Sequence, residues 1–265
     1  MVDRLLELPT VIGCLIVMGI AVMVGLVTYL GSYRLLFNRR SEEQADATRA
    51  IFLAIGLLVG LFLSLTFANV VVELNTIKRS VEREAITISE LHHKLQRFDS
   101  SQADLIQTLL ITYTQAAIEN DWPALANDRL SDQTEHLLRQ LELAILDLEP
   151  TNVVQEKSWD RLITDVDRIA DYRLSRLEQA LAHPPFFLIV VCCGFFLTMV
   201  CLGIHPPARS LIVLIALYMT FVGLIIYLIL AFSDPFQGVP GIDPAPLEYV
   251  LQQMQTEDPP TPQAW

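Results

Sequence analysis

At 265 residues, with 52% hydrophobic side chains against 18% charged ones and a positive mean hydropathy, the chain is too apolar for an ordinary water-soluble domain. Its formal net charge of −12, with no basic stripe, argues against a nucleic-acid partner. No nucleotide loop, nucleophile motif or paired metal ligands occur, so an enzyme is not expected, and neither is a cofactor or a bound metal.

Four windows of about 20 or more residues lack any charged side chain: residues 8–31, 51–72, 184–204 and 210–233. As helices each reaches roughly 30 Å, the hydrocarbon thickness of a bilayer. The expected fold is therefore an all-α membrane protein with four transmembrane helices and a helical extramembrane module inserted between the second and third. The segments divide as 1–73 (helices 1 and 2), 74–183 (the module), 184–233 (helices 3 and 4) and 234–265 (an acidic, Pro-rich tail). Cys14 closes a stretch that looks like a lipoprotein cleavage box. There, however, the apolar run must precede the cysteine, and here it follows. Cys14, Cys192, Cys193 and Cys201 all fall inside predicted spans, where they read as small packing residues.

The second span has two faces. Gly56, Gly60, Ser64 and Ala68 recur every four residues, a stripe without bulk that lets another helix approach closely. Thr66, Asn69, Glu73, Thr76, Ser80 and Arg83 recur every three or four on the opposite side. A polar face on a membrane helix gains nothing against lipid, so it points to a water path. The plainer reading is that Asn69 and Glu73 mark the headgroup level and the later residues face solvent.

Beyond the span, Leu74, Ile77, Val81, Ile88, Leu91, Leu95 and Phe98 alternate three and four apart, with Glu84 filling the one gap. This is a heptad seam. No glycine or proline interrupts residues 61–122, so the membrane helix is expected to continue about 25 residues past the bilayer. A lone acid in a seam needs a cation, and Arg173 or Arg176 on the last module helix is the expected partner in a structural ion pair.

The whole module, residues 74–183, lacks glycine, and its acidic residues outnumber its basic ones 19 to 12. Capping spacings place helix starts at Ser101 with Asp104, at Asp132 with Glu135 and at Asn152 with Gln155. Stops are expected at Asp121-Trp122-Pro123 and Glu149-Pro150, and Pro184-Pro185 should kink or break the entry to the third span. His92 and His93 are adjacent and point about 100° apart on a helix, so they cannot serve one metal from one face. Asp234 follows the fourth span directly. It either ends that span at the interface or anchors the tail to basic residues near the end of the second span.

Arg34, Arg39, Arg40, Arg49 and Arg209 lie in the two short loops, while the tail carries no Lys or Arg. The positive-inside rule then makes the short loops cytoplasmic and the module and termini extracytoplasmic.

The order of several motifs resembles the bestrophin-like domain family of bacterial membrane proteins. These are VEREA (residues 81–85), Tyr113 followed by Glu119-Asn120-Asp121-Trp122-Pro123, DYRLSRL (171–177), SDPFQG (233–238) and IDPAPLEYVL (242–251). The resemblance implies a homo-oligomeric ion channel of the inner membrane, pentameric as in bestrophins, with the second span lining the pore and lipid and permeant inorganic ions as its other partners. In bestrophins the soluble parts are cytosolic, the opposite side to that given by the charge rule. Glu73 and the overall acidity favour cations as the permeant species. The alternative is a non-conducting scaffold or sensor whose module docks a partner.

Overall fold

The computed structural model describes residues 10–36, 42–98, 100–127, 129–180, 186–233, 235–236 and 241–256, and every regular element among them is helical. Nine α-helices follow in order: α1 Thr10–Leu36, α2 Glu42–Leu95, α3 Ser101–Ala116, α4 Trp122–Leu125, α5 Asp132–Leu146, α6 Val153–Ala180, α7 Phe186–Leu202, α8 Arg209–Ser233 and α9 Ala245–Thr256. A π-helical turn, Ala117–Asp121, joins α3 to α4. The chain forms two compact units. Unit 1 comprises Met1–Leu74 and His183–Gly241, and unit 2 comprises Asn75–Ala182 and Ile242–Trp265.

Unit 1 carries the apolar helices. Segments of α1, α2 and α8 are long and apolar enough to cross a membrane, and α7 contributes a shorter apolar helix. Leu53, Leu57 and Leu61 of α2 and Leu217 and Phe221 of α8 point outward, as side chains in contact with lipid or another subunit must. Lipid removes the hydrophobic drive for helix association, so close contact has to come from small residues and dispersion. Gly223 of α8 meets α1 in this way: a Cβ there would lie 2.8 Å from the Met18 Cα and 3.0 Å from the Ala21 Cβ. A second apolar cluster brings α2 to α7 and α8 through Val59, Val191, Phe195 and Val222. Hydroxyls inside these helices bond their own backbone: Thr198 donates to the Gly194 carbonyl at 2.7 Å and Thr220 to that of Ala216 at 2.8 Å.

Unit 2 is organised around the heptad seam. Leu74 at its start and Ile77, Val81, Ile88, Leu91, Leu95 and Phe98 beyond it are all buried. From Ala85 onward the seam joins Ile106, Leu110 and Tyr113 of α3, Leu138, Leu141 and Ile145 of α5, and Leu162, Val166 and Ile169 of α6 in one core. Helix α2 runs unbroken for 54 residues, about 80 Å, because nothing in residues 61–95 removes a backbone donor or frees the chain.

The caps differ from the expected ones by one position in two cases. Ser100, not Ser101, caps α3 by accepting from the Ala103 amide, and Ser131, not Asp132, caps α5 by accepting from the Thr134 amide. In each pair the earlier serine has the extended backbone that a cap requires. Asn152 accepts from the Gln155 amide at 2.9 Å, as its spacing indicated.

The stop expected at Asp121-Trp122-Pro123 does not occur there, and the chain continues through the π turn into α4. Pro123 sits in the first turn of α4, where its missing N–H is tolerated. Within the Pro-rich tail, Ala245–Thr256 is a helix whose Leu247, Val250 and Met254 are buried in the core of unit 2. The Pro184-Pro185 junction and Asp234 lie outside the described residues.

Because the clash at Gly223 is with backbone, Gly223→Val is expected to cost about 1–3 kcal/mol, the usual range for overpacking. A lowered thermal midpoint of the detergent-solubilised protein checks this.

Candidate functional site: a polar stripe on α2 and a buried charge cluster

The six polar positions on α2 do not share one environment. Asn69, Glu73, Thr76 and Arg83 are exposed, whereas Thr66 and Ser80 are buried. Thr66 donates its hydroxyl to the Phe62 carbonyl at 2.8 Å, and the Ser80 hydroxyl lies 3.4 Å from that of Ser175 on α6. The difference follows from helix rotation. At about 100° per residue, Thr66 falls beside the buried line through Val59, Val70, Ile77 and Val81, Asn69, Thr76 and Arg83 turn away from it, and of the two positions between, Glu73 is exposed while Ser80 is covered where α6 packs against α2. On the other side of that line, Gly60, Ser64 and Ala68 are exposed and Gly56 is partly so. A Cβ at Gly56 or Gly60 would meet nothing within 4 Å. Among the described residues, the small-residue stripe is therefore not consumed by packing.

Four turns further along α2, Glu84 enters the interior of unit 2 with no exposure at all. Its Oε1 accepts from the Tyr113 hydroxyl at 3.0 Å and from the Arg176 Nη2 at 3.4 Å. Arg176 also reaches the Asp121 Oδ2 at 3.2 Å, and its guanidinium stacks 4.5 Å from the centre of the Trp122 ring. Arg173 holds the other side of Asp121 through Nε at 2.9 Å and Nη2 at 3.3 Å, and its Nη1 donates to Glu135 at the rim. Of the two expected cations, then, Arg176 faces Glu84, and Arg173 faces Asp121 and Glu135.

The π turn is what delivers Asp121. One extra residue per turn re-aims the side chains after Ala116 and leaves the Ala116 carbonyl to accept from the Thr134 hydroxyl at 3.2 Å. Trp122 is fixed in turn by donating its Nε1–H to the Ile242 carbonyl at 2.9 Å, which ties the C-terminal segment of unit 2 to the cluster.

Burial pushes the Glu84 carboxyl above the usual carboxylate range, more than the Arg176 charge and the Tyr113 hydrogen bond draw it down. Burial, and then the Glu84 charge, raise the Tyr113 hydroxyl well above its ordinary value. Burial alone would lower the Arg173 guanidinium, but its bonds to Asp121 outweigh this and raise it.

In the sequence Tyr113, Asp121, Trp122 and Glu135 read as motif, stop or cap residues and not as partners of the seam acid. A signal existed: two arginines, Arg173 and Arg176, one helical turn apart and aimed at a single seam acid require further acids to balance them.

Long apolar helices in one unit and a helical, charge-bearing second unit mark an all-helical integral membrane protein. A Bestrophin-like domain model matches residues 18–247, and the chain belongs to that family. Among solved structures it is similar to a bacterial bestrophin homologue from Klebsiella pneumoniae determined by Zn-SAD phasing, at 13% identity and a TM-score of 0.65, covering 91% of this chain and 96% of that one. A point variant of the homologue from that organism aligns at 14% identity and a TM-score of 0.63, covering 92% and 99%. No match is found among curated proteins.

Removing one partner of a buried ion network leaves the other charge uncompensated, at a cost of about 3–5 kcal/mol. Arg176→Met is therefore expected to destabilise unit 2 by that order, read as an earlier denaturation midpoint, and Glu84→Gln in the same chain is expected to recover part of the loss.

Proposed function

We propose that the chain assembles as a homo-oligomeric ion channel, with α2 of each copy turned toward an axial water path. The observation that carries this reading is the pairing on one unbroken helix of an exposed polar stripe, Asn69, Glu73, Thr76 and Arg83, with an open small-residue stripe, Gly56, Gly60, Ser64 and Ala68. The first suits water and ions, and the second suits the close approach of a neighbouring subunit. Thr66 and Ser80 sit at the inner margin of the polar stripe, Thr66 bonded within α2 and Ser80 against Ser175 of α6. Family membership supports the same reading, and the bestrophin resemblance implies five copies.

In this assembly α1, α2, α7 and α8 are the four membrane crossings. Helix α7, at 17 residues, reaches about 26 Å, close to the thickness required. A ring of Glu73 carboxylates favours cations, and the field of an acidic protein raises their local concentration. The arginine-bearing short loops put those loops on the cytoplasmic side.

A non-conducting scaffold is the second reading. It draws support from a groove of about 460 Å³ on unit 2, lined by Ala85, Ile86, Tyr249 and Val250, with Glu82 and Glu90 at its edges.

Reconstitution into liposomes separates the two. Cation flux from the wild-type chain, with selectivity reduced by Glu73→Gln and reversed by Glu73→Arg, is the expected outcome, and flux equal to that of empty vesicles favours the scaffold. Gly56→Val with Gly60→Val is expected to lower the oligomer mass measured by light scattering in mild detergent while leaving the helical content of each chain intact.

A further inference from the structure

The charge cluster of unit 2 holds three carboxylates, Glu84, Asp121 and Glu135, against two guanidiniums, Arg173 and Arg176. One negative charge is in excess. Asp121 accepts from both arginines, and Glu135 keeps 53% of its side chain in water, so each of these charges is compensated. Glu84 is fully buried and, among the described residues, receives only the Tyr113 hydroxyl and a single longer contact from Arg176. Among the described residues its Oε2 has no hydrogen-bond partner, and neither have Nε and Nη1 of Arg176, so the guanidinium does not close on the second carboxylate oxygen. An unpartnered carboxylate oxygen in a dry interior is far costlier than a neutral hydroxyl in the same place.

We infer that Glu84 is a proton-binding site, taking a proton from water on Oε2 so that Arg173 and Arg176 are left in balance with Asp121 and Glu135. The groups facing it are Tyr113 from α3, Asp121 from the π turn, and Arg173 and Arg176 from α6, with Trp122 stacked on Arg176 and Glu135 behind Arg173. Arg83, its neighbour on α2, points to solvent. The upward displacement of the Glu84 carboxyl by burial agrees with this assignment.

Protonation changes a mechanical link. With Glu84 charged, Arg176 is drawn between α2 and the π turn. With Glu84 neutral, Arg176 belongs to Asp121 and Trp122, and the ionic tie from α2 to α6 is released. In its dependence on conduction this rests on the channel reading above, because α2 then carries the lining stripe and the proton sets how firmly that helix is held to α6.

The sign of the stability effect is fixed by linkage. The folded chain prefers protonated Glu84, so the stabilisation is complete below the ordinary glutamate value, about pH 4.3, and is lost as pH rises through the elevated folded value. Thermal midpoints of the purified full-length chain in detergent, followed from acid to mildly alkaline pH, should therefore fall more steeply with pH in the wild type than in Glu84→Gln. Parallel profiles would overturn the assignment.

Infrared spectra read the proton without reference to stability: a protonated-carboxyl carbonyl band that titrates in the wild type and is missing from Glu84→Gln is expected, and its absence from the wild type refutes the site. Flux in liposomes then tests the link to conduction. A pH dependence flattened by Glu84→Gln supports it, and an unchanged profile overturns it. If the infrared band is present while flux never exceeds that of empty vesicles, the proton site stands and the channel reading fails.

Discussion

The Arg176 guanidinium, wholly buried between two carboxylates and an indole ring, is the constraint on which the organisation of unit 2 depends. A cation in that position is tolerable only while its partners stay in place. Those partners come from α2 and from consecutive residues where the π turn meets α4, so one side chain on α6 ties together three stretches distant in sequence. The apolar seam drives the helices together but does not by itself choose between neighbouring registers, since a seam of leucines and isoleucines accepts more than one alignment. The polar cluster makes that choice. Its own shape depends on the π turn, without which Asp121 would be aimed elsewhere.

Unit 1 is held by a different balance. Its helices gain little from excluding water, because their surroundings are as apolar as their side chains. Contact depends on places where side-chain bulk is removed, such as Gly223 against Met18 and Gly194 against Val59. Hydroxyls are returned to their own helix, as with Thr66, Thr198 and Thr220. The same rule makes Gly56 and Gly60 informative: they have the composition of a contact and, among the described residues of one chain, nothing within reach of an added Cβ.

Helix α2 belongs to both regimes, with lipid-length apolar character before Val72 and a buried seam after Leu74. Its exposed polar positions lie on a flank that neither regime uses. That unused flank, rather than any single residue, links the architecture to a proposal of ion conduction. The buried acid at position 84 adds a chemical variable to the same helix.

The helical class, the continuity of α2 and the identity of its seam residues are legible without any structure, because each follows from local rules: hydropathy over a window, the absence of glycine and proline, and a repeat of three and four. The sequence also carried the family through the order of its short motifs. Only the tertiary structure decided that Thr66 and Ser80 turn inward while Asn69 and Glu73 do not, since a spacing of three and four defines a band on a helix and not where the neighbouring helices cut it. The π turn, the buried helix within a Pro-rich tail and the division of Asp121 between two arginines were likewise settled by packing. Each depends on which distant segment supplies the missing partner, and no local pattern encodes that.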